Sequence, residues 1–458
     1  MERNWNNIIS AKRIGVAHSS REARTDFQRD FDRIIFSSAF RRLQNKTQIF
    51  PLPGSVFVHN RLTHSLEVAS VGRSLGKLVG AELLKTGAID SSNEKFYEFE
   101  LQNVIASACL AHDIGNPPFG HSGEKAISNF FLNNPSPIIG STALKDFFSP
   151  EEWADLISFE GNANSFRVLT NQFNGKSAGG YRLTYITLAA LMKYPCVSSA
   201  TNKKAIHRKK YGFFQTEINT AKDIFTDLNI TPESESPLVY TRHPFVYLTE
   251  AADDICYRII DFEDAQRLHI LSHEEVSVIF LRVLEEINRP SINLSEIKKV
   301  LNSIGDKNEQ ISYLRAICIN ALTNEASDLF IKEADSILHG NYNSGLLDTL
   351  QNKYPILKEI ADISYNQIYN HNTVVELEIT GYNVMSDLLS LFIPAILTDK
   401  PNHKEEKVLK LLPEQFRIKS DLPYLKVMSV LDYLSGMTDP YIIELYRKTF
   451  GIEITWHL

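Results

Sequence analysis

Paired cysteines, long apolar runs, internal repeats and an excess of positive charge are all missing from this chain of 458 residues. Each absence removes a class of protein. The four cysteines, Cys109, Cys196, Cys256 and Cys318, lie far apart and form no CxxC pair, which excludes a zinc knuckle or a disulfide framework and fits a reducing compartment. A net charge of −7 gives no global field for duplex nucleic acid or an anionic membrane, so any phosphate binding is local. The N-terminal "MERNWNNIISAKRIG" holds no apolar core of signal-peptide length. The most apolar stretch, "LLSLFIPAIL" at 388–397, is about half the roughly 20 residues that a membrane span needs. The expectation is a soluble cytoplasmic protein with no membrane partner. Length alone allows two or three units of roughly 100–200 residues. The lack of repeats and low-complexity tracts argues instead for an intertwined helical body.

Strand-like alternation is scarce and helical period dominates. In "LQNVIASACLAH", Leu101, Val104, Ile105 and Ala108 form one stripe, and His112 falls on it. Further helical segments are expected at 26–44, 64–86, 121–133, 151–172, 183–194, 245–272, 273–288, 294–304, 308–334, 374–397 and 422–449. Loops are expected at "PLPGS" (51–55), "GNPPFG" (115–120), "NNPSP" (133–137), "TNKKAIHRKKYG" (201–212) and "NITPESESP" (229–237). The chain reads as mostly α.

Against that background His64, the pair His112-Asp113, and Asp253 stand out. Imidazole and carboxylate ligands together suit a divalent ion such as Mn, Fe, Co, Ni or Zn, with Mg where waters complete the shell. A single histidine on an apolar face is usually a satisfied core residue. The dipeptide "HD" followed by "IGNPPFGH" is different, because it puts polar groups at the end of a buried stripe and then breaks the helix with two prolines. Downstream, Asp253, Tyr257 and Asp261 are spaced i, i+4, i+8 and share one helical stripe, a solvated face if read alone and the far wall of a site if read with the histidines. His121 and Glu124, at i and i+3, are neighbours able to form an acid/base pair, or simply an acidic first helical turn.

These stretches resemble one family. The blocks "SSAFRRLQNKTQIFPL" (37–52), "RLTHSLEV" (61–68), "HDIGNPPFGHSGE" (112–124), "FEGNANSFR" (159–167), "EAADDICYRIIDFEDA" (250–265) and "LSGMTDPY" (434–441) together look like an HD-superfamily hydrolase of the dGTPase group, the deoxynucleoside triphosphate triphosphohydrolases. The resemblance implies an all-α fold, an HD-domain helical bundle with an additional C-terminal helical region. The expected division is a segment 1–58 contributing to the active site, an HD core 59–272 and a C-terminal region 273–458. It implies a divalent metal on His64, His112, Asp113 and Asp253, supplied as Mg or Mn in an assay. It further implies attack of water on the α-phosphorus of a dNTP, releasing a deoxynucleoside and tripolyphosphate, with His121 and Glu124 handling the proton.

By position in the family pattern, Arg61, Lys193, Tyr194, Lys210 and Tyr257 are candidates for holding the triphosphate, with Lys209 able to replace Lys210. Gln48 and Asp261 match positions that contact the deoxyribose, Gln44 being the fallback one turn earlier, and Asn162 matches a motif near the metal. The short segment between 377–389 and "LSGMTD" departs from longer dGTPases, and dGTP is the expected substrate among the dNTPs. Family members are homo-oligomers, tetramers or hexamers, and many respond to an allosteric nucleotide. Two other readings compete: an HD phosphohydrolase acting on a different phosphoester, and a single-stranded nucleic-acid-binding regulator using some of the 18 tyrosines and 26 phenylalanines to stack bases. Weak binding of single-stranded DNA is expected at most as an added, salt-sensitive property.

Overall fold

Capping side chains, more than apolar period, decide where the helices of this chain begin and end. The segment expected at 26–44 is two helices, Asp26–Ile35 and Ser38–Arg42, because the Ser37 hydroxyl accepts from the Phe40 N–H at 3.1 Å and starts a new helix. The segment expected at 151–172 is split into Pro150–Ile157 and Gly161–Thr170, with the Glu160 carboxylate accepting from the Asn162 N–H. The one expected at 422–449 is split into Pro423–Ser435 and Asp439–Thr449, with Thr438 as the cap. Short polar side chains offer the backbone an alternative to continuing the helix, and a count of apolar spacing does not register them. The loop expected at 229–237 contains a strand, Pro232–Glu235, paired antiparallel with Leu238–Tyr240.

The computed structural model describes residues 3–16, 23–51, 57–134, 137–139, 142–175 and 178–452. Of the loops expected at 51–55 and 133–137, positions 52–55 and 135–136 fall outside these residues. Among the described residues the chain forms twenty α-helices and two small two-stranded hairpins, so the all-α expectation holds.

Three helices at the centre of the molecule carry the residues of interest. Arg61–Lys85 opens on Asn60, whose side-chain oxygen accepts from the Thr63 N–H at 2.9 Å, and it lies along Leu101–Ala111 and the turn before it. Gly72, Gly76 and Gly80 make that approach close. A Cβ at these positions would stand 2.4 Å from the Cys109 sulfur, 2.7 Å from the Gln102 Cα and 2.2 Å from the Tyr97 carbonyl oxygen. A methyl group has no room at any of them. The third helix, Val246–Arg267, packs on both and buries Ile255, Cys256 and Ile259 completely. Each such aliphatic side chain contributes roughly 1.5–3 kcal/mol by leaving water.

The later helices close over this core. Lys307–Lys332 packs on Arg61–Lys85 and Val246–Arg267, while Asn372–Leu397 packs on His121–Asn133 and Pro423–Ser435. The apolar stretch 388–397 is thus the end of a 26-residue helix, long and apolar enough by length and composition to cross a membrane. Of its most apolar 18-residue window, 44% is buried inside the protein.

Candidate functional site

The close packing of the three central helices puts three ligand-type atoms together. His64 Nε2 lies 3.1 Å and His112 Nε2 3.4 Å from the same Asp253 oxygen, Oδ1. His64, His112 and Asp253 form the one group of metal-ligating side chains found among the described residues, with all three ligand atoms within 4.8 Å of one another. Such separations suit donors sharing one ion at roughly 2.0–2.2 Å. His112 Nδ1 is hydrogen-bonded to the Cys109 carbonyl at 2.6 Å, which fixes its tautomer and turns Nε2 toward the carboxylate. No cysteine sulfur belongs to this group among the described residues. The residues therefore fit a borderline divalent cation.

The electrostatics of the group are strongly coupled. Burial disfavours a charged His112 ring, yet Asp113 and Asp253 outweigh it and hold its pKa up at about 9. Burial also opposes ionised Asp253, but Lys193 first and then His112 keep it well below the usual carboxylate range. The Lys193 ammonium is 2.9 Å from Asp253 Oδ2, so this lysine meets the carboxylate directly. Asp113 stands at the edge of the group, with Oδ1 3.6 Å from His112 Nε2. Its oxygens are held by Asn116 Nδ2 at 2.5 Å and Arg61 Nη1 at 2.7 Å. Against the cost of burial, Arg61 then His112 bring its pKa down to about 2.

A cleft of about 380 Å³ opens over Asp253, a size that suits a small-molecule ligand. It brings together Gln48, Arg61, Asp113, His121, Asp253 and Tyr257 from the sequence-derived candidates. Two buried polar atoms on its wall, Gln48 Oε1 and Arg61 Nε, have no hydrogen-bond partner. Such atoms are costly unless a ligand or water satisfies them. Gly120, at φ +56°, lets Arg61 lie close: a Cβ there would fall 2.5 Å from Arg61 Nη2.

His121, the first residue of its helix, has an exposed ring, and its Nε2 is 4.0 Å from Glu124 Oε2, within ionic reach but beyond a hydrogen bond. The other Glu124 oxygen accepts from the Gly161 N–H at 2.8 Å. The cleft walls and then the Lys210 and Arg61 charges draw the His121 pKa below its ordinary value. Burial, and then the neighbouring Glu160, push Glu124 up to about 7.

This shift has a measurable consequence. Between pH 4.5 and about 7 the folded state holds the Glu124 proton while the unfolded chain has lost it, so stability falls as pH rises through that window and levels off above it. Glu124→Gln is expected to flatten the fall, by on the order of 1–3 kcal/mol between pH 5 and 8. Thermal melts of both proteins across that range check it, and parallel curves would refute the assignment.

The remaining candidates are outside the lining of this cleft. Lys210 pairs with Glu160 at 2.9 Å, on the same side as Glu124, whereas Lys209 is exposed. Tyr194 is half-buried, with Arg242 over its ring at 5.9 Å. Asn162 does not reach the main cleft; its amide donates to Glu160 at 2.6 Å, and it lines a small cavity with His112 and Lys193. Asp261 is buried behind the wall, accepting from the Tyr369 hydroxyl at 2.6 Å, and Tyr369 in turn stacks on Tyr257. Gln44 is exposed. Tyr369 and Asn116 line the cleft without having been singled out in the sequence. Asn116 sits inside the conspicuous "HDIGNPPFGH", but Tyr369 follows Asp261 by 108 residues in a stretch with no motif, so only the fold brings it here.

Comparison with known proteins adds names to this geometry. The HD domain family matches residues 61–176, and the phosphohydrolase-associated domain matches residues 350–448. A Synechocystis protein named deoxyguanosinetriphosphate triphosphohydrolase-like is 38% identical over 462 residues, covering 98% of this chain and all of the relative. A protein of the same name from Pseudomonas aeruginosa is 36% identical, with 98% of each chain covered. The deoxyguanosinetriphosphate triphosphohydrolase of Serratia proteamaculans is 29% identical, covering 93% of this chain and 94% of its own.

Proposed function

The chain belongs to the deoxyguanosinetriphosphate triphosphohydrolase family, whose members are hydrolases, and on that premise we propose that it hydrolyses dNTPs, dGTP foremost, to deoxynucleoside and tripolyphosphate. The observation that carries the reading is the cleft itself: a His64, His112, Asp253 cluster opening onto an arginine and a glutamine whose buried polar atoms lack partners.

His64, His112 and Asp253 would hold the divalent ion, with Asp113 as fourth ligand through the oxygen nearest His112. Bound there, the ion supplies positive charge that polarises a phosphoryl oxygen. Arg61, already anchored on Asp113, presents its free Nε to the phosphates beside Tyr257 on the same cleft, and Lys193, Tyr194 and Lys210 would reach the phosphates from outside its lining. His121 moves the proton at the scissile bond, oriented by Glu124, which Gly161 holds in place. Gln48 offers its unpartnered carbonyl to the deoxyribose, with Asp261 acting on that region through Tyr369. In this scheme the 59–272 portion supplies the chemistry and the flanking portions shape the cleft, in a cytoplasmic homo-oligomer.

Product analysis with Mn or Mg tests the reading, using each dNTP and GTP alone and then the four dNTPs together. Tripolyphosphate plus deoxynucleoside is expected, with dGTP turned over fastest and GTP slowest. Pyrophosphate or single phosphate as product would move the chain to another phosphoester chemistry.

A further inference from the structure

The "LSGMTDPY" block has no group in the cleft lining that touches the metal cluster, yet it is tied to both cleft walls. It forms the corner between the helices Pro423–Ser435 and Asp439–Thr449. Asp439 is 5% exposed, and its two carboxylate oxygens go to two distant backbone amides: Oδ2 accepts from the Thr47 N–H at 2.8 Å and Oδ1 from the Phe119 N–H at 3.1 Å. An acid at the start of a helix ordinarily serves its own first turn. Here its hydrogen bonds reach across 392 and 320 residues.

The corner is anchored a second time. Lys46, 2% exposed, donates to the Asn116 carbonyl at 2.5 Å and to the Ser435 carbonyl at 2.8 Å. Burying a lysine on two carbonyls is costly, and the arrangement persists only if the surrounding structure demands it. Phe119 adds to the tension, since a bulky residue at φ +61° is disfavoured by about 1–3 kcal/mol.

We propose that Asp439 is a positioning residue for the nucleotide cleft, holding the 46–48 segment and the 116–120 turn at a fixed spacing with Lys46 as its counter-anchor. Two groups depend on that spacing. Gln48 adjoins the pinned Thr47, and Asn116, whose carbonyl Lys46 grips, donates its side chain to Asp113. The expected effect on substrate choice rests on the reading of Gln48 as a sugar contact; the clamp itself does not.

Asp439→Asn keeps the shape but turns an amide N–H₂ against one of the two N–H donors. Hydrogen exchange followed by mass spectrometry is expected to speed up about tenfold in peptides covering 44–50 and 117–124, with other helices unchanged. The kcat/KM for dNTP should fall by on the order of 10²-fold, and the preference for dNTP over NTP should shrink, while zinc or manganese content stays at the wild-type level. Lys46→Met repeats the test from the other anchor and decides it if Asp439→Asn does not fold. Exchange at 44–50 and 117–124 equal to wild type, or loosening spread evenly over the molecule, overturns the proposal. A wild-type protein that hydrolyses no dNTP would defeat the proposed activity, and the exchange pattern would still decide the clamp.

Discussion

His64→Ala is expected to lower dNTP turnover by roughly 10³-fold or more, the loss of about 4 kcal/mol that a bound cation contributes to such a reaction. The histidine is 2% exposed and its Nε2 meets Asp253, so its removal takes one of the three donors from the proposed metal cluster and leaves a small cavity. The fold has reason to survive. Asp253 keeps Lys193 at 2.9 Å and His112 at 3.4 Å, so no buried charge is left alone. Metal content measured by mass spectrometry should drop with the activity, while the helical circular dichroism stays at the wild-type level. Wild-type turnover with an emptied cluster would sink the metal assignment; so would full metal content with no His64.

His121→Ala should be nearly as damaging to kcat and nearly silent for stability. Its ring is exposed, with a side-chain accessibility of 76%, so truncation forfeits little packing. The loss expected of a proton-transfer residue is roughly 10²–10⁴-fold. KM should move little, because the proposed phosphate contacts, Arg61 and the lysines, are left intact. Glu124→Gln should cost less, since it leaves the imidazole in place and alters only its orientation. A His121→Ala enzyme with unchanged kcat would remove the residue from the proton path, and a matching collapse in melting temperature would point to a structural role instead.

The parts of this arrangement that sequence alone made legible are those fixed by helical period. His64 and Asp253 lie on two of the central helices and His112 caps the end of a third, and period placed His112 on a buried stripe, whereas Asp253 sat on a polar stripe that only its company with the histidines turned toward a site. What period cannot report is where a side chain spends its hydrogen bonds. Asp113 looked equivalent to the other ligands, but Arg61 and Asn116 hold its oxygens at the edge of the cluster. Asp261 shares a stripe with Asp253, yet two further turns carry it behind Tyr369. Lys210 and Lys209 were interchangeable on paper, and only the fold turns one toward Glu160. The helix breaks at Ser37, Glu160 and Thr438 follow from single capping side chains, to which an average over a window is blind.

The corner at Asp439 also sets an order of events during synthesis. Asp253 is the last of the proposed metal ligands along the chain, and Asp439 follows it by 186 residues. At roughly 5–20 residues per second, a ribosome needs about 10–40 s to cover that interval. For that time the nascent chain carries every proposed metal ligand, while of the ties described between the two walls only the one from Lys46 to the Asn116 carbonyl has its partners, so the proposed ligands come first and the corner that fixes the cleft comes last.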